Sequence, residues 1–207
     1  MFTIEFQNFQ YFKSINFRVR KMKVKRTQVG IIGAGPAGLT LARLLFESGI
    51  STVILEAKDR EYVENRIRAG VLEQGSVELL GRAKSDARLQ SNAQIHKGIE
   101  ISLNGDRCRV NLEKFSGGKH VTVYGQTEIT IDLIEVHTKL GGEIIFEASN
   151  VMPRDFETKT PVIQYESNGD LTELRCDFIA GCDGFHGISR SSIPPSKLKF
   201  FERLYSY

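Results

Sequence analysis

Cysteine, histidine and long apolar runs are scarce in this chain of 207 residues, and each shortage removes a class of function. The three cysteines, Cys108, Cys176 and Cys182, form no CxxC pair and no Cys/His ligand cluster. An odd count without pairing logic fits reduced thiols in a cytoplasmic protein. No apolar run is long enough, or free enough of glycine and charge, to span a membrane. No Ser/His/Asp set, paired carboxylate, zinc pattern, internal repeat or low-complexity tract is present, and no metal site is expected. The net charge of +3 is too small to argue for nucleic acid, although it suits an anionic ligand. At 41% hydrophobic and 26% charged residues, the composition is that of a soluble globular protein with a real core.

The informative stretch runs from Gln28 to Gly38. Val29, Ile31 and Ile32 read as a buried parallel strand. The strand feeds Gly33-x-Gly35-x-x-Gly38, with Pro36 and Ala37 inside the motif, and then a helical pattern from Leu39. Gly33 permits the tight turn, Gly35 offers no Cβ to hold a pyrophosphate away, and Gly38 lets helix and strand pack closely. The free N–H groups at the helix start then face the phosphates. A second apolar strand, Ser51 to Leu55, ends in Glu56, 18 residues past Gly38 (56 − 38). A carboxylate there accepts both hydroxyls of an adenosine ribose. Dinucleotide binding follows, but NAD and FAD present the same ADP half to this motif.

Residues 1–26 stand apart, with spaced phenylalanines first and basic residues late. The order is wrong for a secretory signal, and the segment reads as a disordered extension or as an upstream start with Met22 as the working one. Residues 57–64 read as a polar loop, and a helix from Ser76 ends near Gly81. Asn104-Gly105 and Asn168-Gly169 mark two hairpins, and His120–Tyr124 and Glu143–Phe146 read as strands. Gln126–Leu140 has helical spacing and stops at Gly141-Gly142. The expected fold is a doubly wound, Rossmann-like α/β domain with inserted antiparallel strands. Its expected parts are 27–98 for the first βαβ unit, 99–125 for strands of a substrate-side sheet, and 126–207 for the rest of the dinucleotide-binding part.

Arg66 and Arg68 present two forked donors, side by side if the segment is extended, which suits phosphate or carboxylate recognition as well as a solvated basic edge. Asp183, bracketed by Gly181 and Gly184, ends an apolar strand and suits a ribose, a ribityl chain or an ordinary Asp-Gly turn. Gln126 opens a helix and can donate to phosphate. His96 and His186 have no ligand partner at helical spacing.

With these motifs in order, the chain from Thr27 to Tyr205 resembles the flavoprotein aromatic hydroxylases. The resemblance rests on Gly33–Gly38, Glu56, Arg66–Gly75, Ser116–Lys119, Val121–Glu128 and Ile179–Arg190. It implies FAD held by the glycine turn and Glu56, with Arg66, Ile67, Arg68, Ala69, Gly70 and Val71 running along it, Gln126 at the phosphates and Asp183 serving both cofactors. Tyr62, Arg66, Arg68 and His186 match positions that handle NADPH, and His96 matches a residue relaying the substrate's phenolic proton. The implied reaction is hydroxylation of 4-hydroxybenzoate to 3,4-dihydroxybenzoate with O₂ and NADPH or NADH. Ala57 stands where NADPH-using members often carry arginine, which leaves the two nicotinamides open, and Ile131 replaces a basic residue. The family's substrate-binding sheet would begin where this sequence ends, at Tyr207. The resemblance therefore implies an N-terminal portion that holds FAD weakly and does not hydroxylate alone. A homodimer of the full-length protein stays open. The competing readings are a non-catalytic dinucleotide-binding module and an ordinary NAD-dependent oxidoreductase.

Overall fold

The computed structural model describes residues 22–198. Four short strands that are apolar on both faces make the central sheet: β2 (Val29–Ile32), β3 (Thr52–Leu55), β9 (Glu143–Ile145) and β13 (Phe178–Gly181). They lie in the order β13-β2-β3-β9, and all three pairings are parallel. Two helices cover one face, α1 (Pro36–Glu47) and α6 (Gln126–Lys139). The other face carries a largely antiparallel layer ordered β1-β12-β11-β10, namely β1 (Lys23–Arg26), β12 (Asp170–Arg175), β11 (Val162–Ser167) and β10 (Ser149–Arg154), in which only the β1–β12 pairing is parallel.

Period-two alternation decides which core each strand residue joins. Val29, Ile31 and Ile54 face the helices, where they meet Leu39, Ala42, Leu133 and Ile134. Ile32, Val53 and Leu55 face the antiparallel layer and meet Ile163, Tyr165, Leu174 and Cys176. Gly30 falls on that second face, where a Cβ would come within 2.6 Å of Ile163 Cδ1 and 2.7 Å of Cys176 Sγ. Burial pushes the Cys176 thiol up to about 11, which leaves it protonated and inert.

The connection between β3 and α6 holds the remaining elements. These are α2 (Arg60–Asn65), β4 (Val71–Glu73), α3 (Gln74–Arg82), α4 (Ala87–Asn92), β5 (Gln94–His96), β6 (Gly98–Leu103), β7 (Asp106–Asn111), α5 (Leu112–Phe115) and β8 (Val121–Val123). β8 lies between β4 and β5 in a three-stranded antiparallel sheet, so β5 and β8 pair across residue 98. β6 and β7 form a separate two-stranded ribbon closed by Asn104 (φ 52°) and Gly105 (φ 91°), both in the left-handed region that such a turn requires. A short α7 (Ile188–Ser191) follows β13.

Three expectations need correction. Residues 57–64 are not a loop, because Asp59 accepts a hydrogen bond from Tyr62 N at 2.7 Å and starts α2. Lys23–Arg26 are not part of a disordered extension, because β1 pairs in parallel with β12. The helix expected to end near Gly81 starts earlier and runs through Arg82. The extension's residues 1–21 lie outside the described residues. No helix among the described residues is long and apolar enough to cross a membrane.

Candidate functional site

A parallel sheet ordered β13-β2-β3-β9 reverses direction of growth between β2 and β13, and crevices for ligands open at such points, beyond the strands' carboxyl ends. The glycine motif lies there. Gly33 has φ +105°, a conformation that L side chains rarely adopt, and a Cβ on it would lie 2.6 Å from the Cys182 carbonyl oxygen. Gly38 packs its Cα against the Gly33 carbonyl so closely that any side chain would strike that oxygen. Gly35 differs from both, because a Cβ there meets nothing within 4 Å. Nothing within the fold itself crowds that position, and no positive φ calls for glycine there. Pro36 occupies the first helical position, and no side chain caps α1. The first-turn N–H groups, those of Ala37 and Gly38 included, remain available to an anion.

Glu56 stands at the mouth of this turn. Its Oε2 accepts from Ala34 N at 2.8 Å and its Oε1 from Lys58 N at 2.9 Å. Each carboxylate oxygen keeps a second lone pair, so two hydroxyl donors can still be accepted. Lys58 also extends over the Tyr62 ring, with Nζ 5.4 Å from the centroid.

Asp183 is brought to the same crevice, with its Cα 2.9 Å from where a Gly33 Cβ would stand. Its Oδ2 accepts from Ser189 N at 2.9 Å, which fixes the carboxylate at the start of α7. A cleft of about 580 Å³ opens beside it, lined by Ala37, Ile179, Cys182, Asp183, Ser189 and Arg190 among others. Burial, reinforced by the Asp183 charge, raises the Cys182 thiol above its ordinary value. The Arg190 guanidinium lies 4.2 Å over the Phe185 ring, whose edge meets His186 at 5.0 Å.

Arg66, Ile67, Arg68 and Ala69 are exposed, and residues 66–70 carry no strand pairing; the ladder begins at Val71. Neither arginine has a protein partner among the described residues. Gly70 joins this segment to Gln126. Its carbonyl accepts from Tyr124 N at 2.8 Å, and a Cβ on it would come within 2.6 Å of the Tyr124 carbonyl oxygen. Tyr62 and His186 are both exposed, on different elements, and no hydrogen bond or ring contact joins them. His96 is exposed on β5, in register with Val121 and, one strand further, Glu73.

Sequence reasoning missed the group that fixes Tyr124. Its hydroxyl donates to Asp132 Oδ2 at 2.7 Å in a buried position, and Arg88 Nη1 meets Asp132 Oδ1 at 3.0 Å. Burial, then the Asp132 carboxylate, push the Tyr124 phenol up to about 12, and burial raises Asp132. A tyrosine before a helix and an aspartate within it carry no motif, so only the i, i+8 coincidence hinted at the pair.

The sequence model of the FAD binding domain family matches residues 26–207. The chain belongs to that family. A curated relative, p-hydroxybenzoate hydroxylase from Acinetobacter baylyi, is 47% identical over 186 residues, which cover 90% of this chain and 46% of the relative. The chain thus spans less than half the length of that protein. Among solved structures, p-nitrophenol 4-monooxygenase from Pseudomonas putida superposes with a TM-score of 0.71 at 19% identity, covering 83% of this chain and 44% of its own. A flavoprotein/dehydrogenase from Cytophaga hutchinsonii gives 0.65 at 24% identity, covering 77% and 40%. These two likenesses show the shared fold. The ADP end of FAD fits the residues present: an unobstructed Gly35, an uncapped α1 and a carboxylate with lone pairs to spare.

Proposed function

We propose that this chain is the FAD-holding portion of an aromatic hydroxylase that converts 4-hydroxybenzoate to 3,4-dihydroxybenzoate with O₂ and NADPH or NADH. The observation that carries the reading is Glu56 at the mouth of the glycine turn, bonded to Ala34 N at 2.8 Å and still able to accept. The 47% identity to p-hydroxybenzoate hydroxylase supports the choice of reaction. That relative is about twice as long, so hydroxylation is assigned to a polypeptide that also supplies the other half. Flavin, when bound, supplies the redox centre that takes electrons from the nicotinamide and activates oxygen.

The chain's own residues bind and orient. Glu56 accepts the adenosine ribose hydroxyls, and the N–H groups of Ala37 and Gly38 donate to the pyrophosphate. Gln126 donates to phosphate oxygens from the start of α6. Asp183, immobilised by Ser189 N, accepts from cofactor hydroxyls in the crevice between β2 and β13. Arg66 and Arg68, without partners among the described residues, offer their forks to the cofactor and to the nicotinamide nucleotide, alongside Tyr62 and His186. His96 passes the phenolic proton to solvent. The ribbon of β6 and β7 exposes Ile99, Ile101 and Leu103 on one face and belongs to the substrate side. An isolated two-stranded ribbon is only marginally stable, which favours a sheet that continues beyond it.

The second reading is an FAD-binding module without hydroxylation of its own, which the same glycine turn and Glu56 would serve. Flavin absorbance of the purified 207-residue chain, followed by oxygen uptake with 4-hydroxybenzoate and NADPH, tests both. A yellow preparation without coupled product is the expected result. A colourless one that binds NAD alone would overturn the FAD assignment, and coupled hydroxylation by this polypeptide would overturn the division of labour.

A further inference from the structure

The two ends of the cofactor crevice are built in different ways. At the ADP end, the turn is locked by backbone contacts, Gly33 against Cys182 and Gly38 against Gly33. At the other end, residues 66–70 have no strand partners, and Gln126 stands at an α6 start with no side-chain cap. Something else must hold this second end in place. Tyr124 touches both of its parts. Its N–H donates to Gly70 at 2.8 Å, its carbonyl packs on Gly70 Cα, and it precedes Gln126 by two residues. Its ring reaches down into α6, where the hydroxyl meets Asp132 at 2.7 Å. Asp132 is in turn held by Arg88 of α4 at 3.0 Å, and Arg88 also pairs with Glu128. Tyr124 and Asp132 are each 6% exposed, so the bond between them is sheltered from competing water.

We propose that Tyr124, anchored by Asp132 and Arg88, is the positioning residue of the flavin-side half of the cofactor site. It sets the Arg66–Val71 segment against the start of α6, so that Gln126 and the arginine pair converge on one ligand. The inference rests on the reading of those residues as FAD contacts. Adenosine, which has no phosphate and reaches only Glu56, gives an internal reference that this unit should not affect.

The test titrates the 207-residue chain with FAD, by flavin fluorescence and induced circular dichroism, and with adenosine, by calorimetry. Tyr124→Phe is expected to weaken FAD about tenfold, the loss of one buried charge-assisted hydrogen bond, and to alter the induced flavin dichroism. Adenosine affinity is expected to stay within about twofold, since its contact with Glu56 is untouched. Asp132→Asn, which keeps an acceptor oxygen for the hydroxyl, is expected to retain most of the FAD affinity. Gln126→Ala is expected to behave like Tyr124→Phe. FAD and adenosine binding unchanged in Tyr124→Phe, or lowered together in step with the melting temperature, overturns the positioning role alone. An unchanged FAD-to-adenosine ratio in both Gln126→Ala and Arg68→Ala overturns the assignment of the cofactor residues, and the proposal with it.

Discussion

Acidification from pH 7 to pH 4.5 should expose a single buried histidine as a weak point of the helical layer. His137 on α6 is fully buried, and neither ring nitrogen has a hydrogen-bond partner. Phe46 lies edge-on at 6.1 Å, Gly142 packs under the ring, and the buried Arg43 guanidinium acts on it from α1. Arg43 donates to Ala83 O at 3.2 Å and pairs with Glu47, yet its Nη1 has no partner. Burial first, and the Arg43 charge second, lower His137 from 6.5 to about 4. Above pH 6.5 both folded and unfolded chains carry a neutral ring, and the full stability is present. Between the two values the unfolded chain takes up a proton that the folded chain refuses, so stability falls as pH falls. Below about 4 both states are protonated and this group costs nothing further. At 1.36 kcal/mol per pH unit the loss has a ceiling of about 3 kcal/mol, and water penetration brings it to about 2 kcal/mol. For a chain of this size that corresponds to a drop of about 4–8 °C in melting temperature. Thermal melts of the wild-type chain and His137→Gln at pH 7, 5.5 and 4.5 separate this effect from carboxylate titration, which both share. The wild type should lose about 2 kcal/mol more than the variant across that range. A difference between the two that is the same at every pH refutes the reasoning.

The three motif glycines should part company under substitution. Gly38→Ala collides with the Gly33 carbonyl and should lower unfolding free energy by about 1–3 kcal/mol in urea titrations. Gly35→Ala meets open space, so it should keep stability within about 1 kcal/mol yet weaken FAD by tenfold or more on the order of a blocked close approach. Glu56→Gln turns an amide NH₂ toward the N–H of Ala34 or Lys58 and should weaken ADP by about tenfold in calorimetry. Leu103→Lys on the exposed ribbon should leave the melting temperature of this chain unchanged, within about 0.5 kcal/mol, because the face has nothing to lose.

The elements that carry the cofactor were legible because their signals are local. An apolar strand, three glycines and a carboxylate at the next strand end together specify the turn, and the two Asn-Gly pairs specify both hairpins. The elements that were not legible depend on partners far away in the chain. β1 is a run of four exposed and mostly charged residues, and it is a strand only because β12 supplies a parallel ladder. β10 contains Pro153 and a register shift, features that a strand tolerates at a sheet edge, which is where it lies. α2 has no apolar stripe, and its one signal was the Asp59 cap with the Arg60–Glu64 pair behind it. Of the candidate site, Glu56 follows β3 and bonds Ala34 N, and Asp183 follows β13 and bonds Ser189 N, local placements that strand ends make readable. The Tyr124, Asp132 and Arg88 group could not be read, since nothing short of tertiary packing brings α4, β8 and α6 together.

The carbonyl of Cys182 braces Gly33 from behind across 149 residues of chain (182 − 33). The nucleotide-gripping loop therefore waits for a strand that is synthesised long after it. A nascent chain leaves the ribosome with β2 lacking one neighbour and the loop without its backstop. Cofactor capture then has to follow the synthesis of β13, and a stall before that strand would release a product unable to take up flavin however well its first motif were preserved.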